Sequence, residues 1–153
     1  MTTRKRRPDR FFVVRNLAAQ FLRHVLGRHR PVPTKGSILL VDDELALLES
    51  LKQLLKEHFV GFSILTASDG IMARERLRQN PVSLVITNLN MPGMNGFQLL
   101  DHIKAHYPGL PVIILTGMHS PEKSELARRK GAVAYLRKPC RLEDLVGTIR
   151  YFI

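Results

Sequence analysis

A chain of 153 residues with 44% hydrophobic and 24% charged residues can bury the core of one ordinary folded domain, which excludes a disordered or fibrous class. The single cysteine excludes an internal disulfide and favours a cytoplasmic location, and no apolar stretch is long enough for a transmembrane helix. Of the formal net charge of +11, residues 1–36 contribute +9 and residues 37–153 contribute +2, so the charge does not identify the body of the chain as nucleic-acid-binding.

The first 36 residues are predicted to be a basic extension followed by a linker. Apolar residues within residues 11–26 recur close to helical spacing but are interrupted by two arginines, which predicts a partly helical or disordered segment. Two prolines and a glycine within residues 30–36 indicate the linker. The sequence leaves open whether this tail docks on an anionic membrane, binds nucleic acid non-specifically or has no binding role.

From residue 37 onward, short apolar runs alternate with amphipathic segments. The predicted strands are residues 38–41, 62–66, 84–86, 112–115 and 133–136. The predicted helices are residues 44–58, 70–79, 97–106, 121–130 and 142–151. Strands that are apolar throughout and alternate with helices predict an α/β domain over residues 37–153, with a doubly wound, five-stranded parallel sheet.

Polar residues follow four of the predicted strands. Asp42 and Asp43 follow the first strand, Asn88 the third, Thr116 the fourth and Lys138 the fifth. In open parallel sheets, ligands bind in the crevice at the carboxyl ends of the strands. We therefore expect these side chains to share one crevice.

Four sequence segments in this region resemble a known family. They are residues 41–44 (VDDE), 88–96 (NLNMPGMNG), 115–117 (LTG) and 135–139 (YLRKP). In this order, they are similar to the signature segments of response-regulator receiver domains of two-component phosphorelay signalling. The resemblance covers residues 37–153 and implies a flavodoxin-like (βα)5 fold with strand order 2-1-3-4-5.

The resemblance also implies a magnesium site. If the family's roles apply here, Asp43 would ligate Mg²⁺ directly and Asp42 would act mainly through water. The backbone carbonyl of Asn90 would add a ligand. Hard oxygen ligands of this kind are those that Mg²⁺ prefers. An alternative from the residues themselves is that Asp42 and Asp43 only cap the first helix.

Three further residues receive roles from the resemblance. Thr116 and Lys138 would contact phosphate oxygens, and Tyr135 would act as the family's aromatic switch. The simpler alternatives stay open: Thr116 as a plain loop residue, Lys138 as a counter-ion of the acids, and Tyr135 as part of the core.

The family's phosphate-accepting aspartate corresponds to Asn88. A carboxylate attacks phosphorus through an anionic oxygen, and an amide has no such anion. We therefore expect a phosphorylation-independent pseudo-receiver without enzymatic activity, in which Mg²⁺ is bound more weakly and is not required. The alternative is an ordinary phosphorylatable receiver that carries an engineered Asp-to-Asn change at position 88.

The expected output is binding to a protein partner. The last predicted helix ends at the end of the chain, so we expect a single-domain protein without a C-terminal output domain. The resemblance implies that a histidine kinase or a downstream signalling protein binds the face formed by residues 121–153. We expect the protein in the cytoplasm, with membrane contact only through its basic tail.

Overall fold

The computed structural model describes the backbone of residues 11–13 and all of residues 36–153. In chain order the strands and helices are β1 Phe11–Val13, β2 Ser37–Val41, α1 Leu45–His58, β3 Ser63–Ala67, α2 Gly70–Gln79, β4 Val82–Thr87, α3 Gly96–His106, β5 Val112–Thr116, α4 Pro121–Arg129, β6 Ala134–Arg137 and α5 Leu142–Phe152.

The strands form one sheet in the order β1-β6-β5-β4-β2-β3. The pairs β2–β3, β2–β4, β4–β5 and β5–β6 are all parallel. Counted from β2, this is the order 2-1-3-4-5, so the predicted five-stranded parallel sheet is confirmed. Each predicted strand and helix is present, and its ends differ from the prediction by at most two residues.

The sheet also contains a strand that was not predicted. β1, a strand that the expectation of a partly helical or disordered extension did not include, pairs antiparallel with β6. Phenylalanine and valine favour strands, and the outer edge of β6 offers backbone groups that an isolated amphipathic pattern does not reveal. The rest of the predicted extension and linker, residues 1–10 and 14–35, lies outside the described residues.

Helices cover both faces of the parallel sheet, which explains the unbroken apolar strand sequences. Leu39 and Val41 of β2 face a core that includes Leu99, Leu100 and Ile103 of α3. The alternate residues Ile38 and Leu40 face a second core that includes Leu48 and Leu55 of α1 together with Leu145 and Ile149 of α5. Full burial of one such side chain contributes about 1.5–3 kcal/mol.

The helices begin and end at residues whose chemistry suits the position. The side chain of Asp69 accepts a hydrogen bond from the Met72 N–H at the start of α2. Asn95 and Gln98 form a reciprocal capping box at the start of α3. After α4, Gly131 has a φ of +92°, the left-handed conformation in which helices commonly end.

Among the described residues, no helix has the length and apolar character needed to cross a membrane.

Candidate functional site

The carboxyl ends of the parallel strands place the predicted site residues at one edge of the sheet. The Asn88 N–H donates to the Val41 carbonyl (2.9 Å), which joins the end of β4 to the end of β2. The Lys138 N–H donates to the Thr116 carbonyl (2.8 Å), which joins the end of β6 to the end of β5. The structure therefore brings together residues that lie up to 96 positions apart in the chain.

Asp42 is the buried acid of the site, with 5% of its surface exposed. Its Oδ2 atom accepts a hydrogen bond from the Lys138 ammonium, whose side chain is 21% exposed. Its Oδ1 atom accepts from the Glu44 N–H (3.0 Å) in the turn before α1. Asp42 thus acts both as the counter-ion of Lys138 and as a support for the turn, whereas the Glu44 side chain makes no capping bond.

Asn88 lies beside the second acid and is 9% exposed. Its amide nitrogen donates to the Asn90 carbonyl (3.0 Å) and lies 3.5 Å from Asp43 Oδ1. Asp43 itself is exposed to solvent. The orientation of the Asn88 amide is thus set by two acceptors, and these are the two groups that the resemblance assigns as direct ligands of magnesium.

The backbone at Asn88 is held by a close approach of α3. A Cβ atom added at Gly96 would lie 2.2 Å from the Asn88 carbonyl oxygen and 2.7 Å from Leu89 Cα. The Gly96 N–H donates to the Leu89 carbonyl at 2.8 Å. Only glycine permits this contact, because the atoms that would collide belong to the backbone. Gly96 was not identified as a site residue from its own position, although it ends the segment of residues 88–96 that carries the resemblance.

Thr116 and Tyr135 are fully buried, and both contact the loop between β5 and α4. Thr116 Oγ1 accepts from the Met118 N–H (3.2 Å), and the Tyr135 hydroxyl donates to the Met118 carbonyl (3.1 Å). Burial raises the pKa of Tyr135 to about 12, so the hydroxyl keeps its proton near neutral pH. The His119 ring lies 5.7 Å from the Tyr135 ring. No motif or spacing in the sequence identifies Met118 or His119 as contacts of Thr116 and Tyr135.

The oxygen atoms of the site are of the kind that magnesium binds. Their present contacts are with hydrogen-bond donors, however, and do not fit a bound cation. The carboxylates of Asp42 and Asp43 and the carbonyl of Asn90 are hard ligands. Hydrogen-bond donors from Lys138 and Asn88 already face these oxygens. Within residues 36–153, no cluster of three His, Cys, Asp or Glu side chains could hold a metal.

Comparisons with known proteins agree with this arrangement. The family model of the response regulator receiver domain matches residues 38–150. The response regulator protein FleR of Pseudomonas aeruginosa is 40% identical over 117 residues, which cover 74% of this chain and 24% of FleR. The transcriptional regulatory protein GlrR of Escherichia coli is 38% identical over 121 residues, which cover 79% of this chain and 26% of GlrR. The chain therefore spans about a quarter of the length of these curated relatives.

Solved structures show the same similarity. A receiver domain protein of Clostridium thermocellum superposes with a TM-score of 0.69 at 38% identity, covering 75% of this chain and 91% of that one. The chemotaxis protein CheY4 of Vibrio cholerae superposes with a TM-score of 0.71 at 28% identity, covering 78% of this chain and 99% of that one. With its parallel sheet and the polar edge built on it, this chain belongs to the response regulator receiver domain family of two-component signalling.

Proposed function

We propose that this chain is a phosphorylation-independent receiver, a pseudo-receiver whose output is protein binding rather than catalysis. The observation that carries the proposal is the contact set of Asn88. Its amide donates to Asn90 and lies beside Asp43, where a phosphate-accepting receiver has a nucleophilic carboxylate. The hydrogen-bonding groups at Asn88 are thereby paired with other groups of the chain itself.

The chemistry of the amide supports this assignment. Formation of an acyl phosphate needs an anionic oxygen that attacks phosphorus and displaces the leaving group of the phosphodonor. The Asn88 side chain is neutral, and its nitrogen lone pair is delocalised into the carbonyl. A residue with the shape of aspartate but without its charge keeps the fold of the pocket and removes its nucleophile.

The charge balance of the pocket supports weak magnesium binding that the function does not require. Asp42, Asp43 and Lys138 together carry a formal charge of −1, and an aspartate at position 88 would make it −2. The amide N–H groups of Asn88 also repel a cation at the oxygens they face. Magnesium would be held by Asp43 and the Asn90 carbonyl only after the Asn88 amide turned its oxygen toward them.

Contacts beyond the pocket favour one conformation without phosphate. Thr116 and Tyr135 hold the two polar backbone groups of Met118, one on each side. The loop that follows β5 is therefore tied to the sheet by buried groups, and its position does not depend on a phosphoryl group. This supports a constitutive binding surface.

The partner we propose is a protein of the same pathway, either a histidine kinase or a downstream signalling protein, bound at the face formed by residues 121–153. Arg128 and Arg129 on this face contact Glu125, and Lys130 contacts Asp101. Since two acids within the chain already contact these three cations, only one of their positive charges is left unbalanced, and the geometry favours a partner selected by shape and apolar contact rather than by strong negative charge.

The test compares phosphorylation of the wild-type chain with that of Asn88→Asp, using acetyl phosphate and Mg²⁺ and intact-protein mass spectrometry. We expect no acyl phosphate on the wild type and an acyl phosphate on Asn88→Asp that is lost in base. Asn90→Asp is the matched control, because it makes the same chemical change two residues along, at an exposed side chain. It should stay unlabelled.

Each result has a defined meaning. Labelling of the wild type at residue 88, or tight binding of beryllofluoride there, would contradict the proposal. Labelling confined to Asn88→Asp would show that the pocket lacks only its acceptor. Comparison with the encoding gene then separates a natural pseudo-receiver from an engineered substitution in an ordinary receiver.

A further inference from the structure

The outer edge of β6 carries an unusual partner, the short antiparallel strand β1. Phe11 lies opposite Leu136, Phe12 opposite Tyr135 and Val13 opposite Ala134. β6 is the last strand of the parallel sheet, and it lies within residues 121–153 between α4 and α5. β1 therefore occupies an edge in the middle of the face that we assign to partner binding.

The backbone geometry shows which groups β1 covers. The Lys138 N–H donates to the Thr116 carbonyl, toward β5. Because backbone groups alternate in direction along a strand, the N–H and C=O groups of Leu136 and Ala134 also point toward β5, and those of Tyr135 point the other way, toward β1. In an antiparallel ladder the hydrogen-bonded partner of Tyr135 is then Phe12, whereas the N–H groups of Phe11 and Val13 point away from β6.

The two outer edges of the parallel sheet differ in how well their own side chains prevent pairing with another chain. β3, at one edge, has an exposed Ser63 and partly exposed Leu65 and Thr66. β6, at the other, carries Ala134, Tyr135 and Leu136, all of which are at most 1% exposed, and its one exposed residue, Arg137, is at its end. An apolar strand with free backbone groups is a template for pairing with another chain, and proteins commonly cover such edges.

A second copy of this chain is the partner that an uncovered β6 would fit. Two identical strands pair antiparallel across a twofold axis, so the β6 edges of two copies are self-complementary. β1 uses the same antiparallel mode and the same backbone groups of Tyr135. A chain in which β1 is docked therefore cannot form this pair.

We propose that residues 11–13 are an internal edge cover, which competes within the chain against β6–β6 pairing of two copies. Displacement of β1 exposes the edge and produces a dimer. The ladder has only three residue pairs, so a single backbone substitution is sufficient to shift this competition. The inference is independent of whether residue 88 accepts phosphate.

The test uses two variants of the full chain with identical composition, Phe11→Pro and Phe12→Pro. Proline at position 12 removes an N–H that faces β6, whereas proline at position 11 removes one that faces away. For Phe12→Pro we expect amide hydrogen exchange at Tyr135 to become about tenfold faster in dilute, monomeric samples. In a concentration series, sedimentation velocity should show a dimer. Phe11→Pro should behave like the wild type in both measurements.

Three results would overturn the inference. The first is equal exchange at Tyr135 in the two proline variants. The second is faster exchange in Phe12→Pro without a dimer at any concentration. The third is a wild-type chain that already dimerises through β6. Val13→Pro also removes an N–H that faces away from β6 and should behave like Phe11→Pro, so the comparison with Phe12→Pro does not depend on how one control variant folds.

Discussion

Two partly buried lysines lie at opposite ends of the sheet, one beside a carboxylate and the other beside a neutral carbonyl. Lys138, at the carboxyl edge, contacts the buried carboxylate of Asp42. Lys104, near the end of α3, donates to the neutral carbonyl of Leu110 (2.8 Å) just before β5. Burial lowers the pKa of Lys104 to about 8. A cation removed from water beside a carbonyl dipole loses its proton more easily, because no opposite charge compensates the lost hydration.

The difference separates a site from a structural contact. At the carboxyl edge, a pair of opposite charges defines a pocket and holds its acids in fixed positions. At the other end, the Lys104 amine donates a hydrogen bond to the turn between α3 and β5, and burial there disfavours its charged form. Three substitutions of lysine by methionine, which keeps much of the side-chain volume, test this comparison.

The largest effect is expected for Lys138→Met. It leaves the carboxylate of Asp42 buried without its counter-ion, which should lower the free energy of unfolding by about 2–4 kcal/mol. Asp42→Asn should relieve part of this loss, since it removes the unpaired charge. Urea unfolding of the two single variants and the double variant measures the coupling, and strictly additive losses would show that the pair is not energetically coupled.

The intermediate effect is expected for Lys104→Met, and it depends on pH. The folded pKa of about 8 lies below the unfolded value of 10.5, so the unfolded chain binds more protons between these values. Stability from this group should therefore rise as pH increases from about 7 to about 10.5, by about 1–2 kcal/mol once the side chain's partial access to solvent is considered. Lys104→Met should abolish this part of the rise in urea unfolding measured across that range.

The smallest effect is expected for Lys130→Met, which also serves as the control for Lys104→Met. Lys130 contacts Asp101 at 2.7 Å, with side-chain exposures of 29% and 54%. Because water and salt screen such a pair, its loss should lower the free energy of unfolding by about 0.2–1 kcal/mol, and less at high salt. The pH-dependent rise assigned to Lys104 should remain. Its disappearance in Lys130→Met would contradict that assignment.

The sequence contained most of the information about the fold. Apolar strand runs and amphipathic helices are local patterns, so each βα unit could be placed with only small errors at its ends. The site could also be located, because the carboxyl ends of parallel strands must meet at one edge. The resemblance added the strand order and named the polar residues at that edge.

Contacts within the site depended on the tertiary structure. Asp42 and Asp43 are neighbours in the chain, yet only Asp42 is buried against Lys138, while Asp43 stays exposed beside Asn88. Which acid points inward depends on the path of the chain after β2, and no periodicity reveals that path. The close approach of Gly96 to the backbone of Asn88 is likewise a contact between two segments, and it is invisible in either one alone.

By itself, then, the sequence determined the parallel α/β body, the position of its polar edge and the absence of a nucleophilic carboxylate at residue 88. Only the tertiary structure decided which oxygens the Asn88 amide contacts and that residues 11–13 join the sheet. The physical reason is the distance along the chain over which each kind of information acts. Side-chain periodicity is local and can be read along the chain, whereas hydrogen-bond partners and strand-edge pairing arise between segments that meet only when the chain has folded.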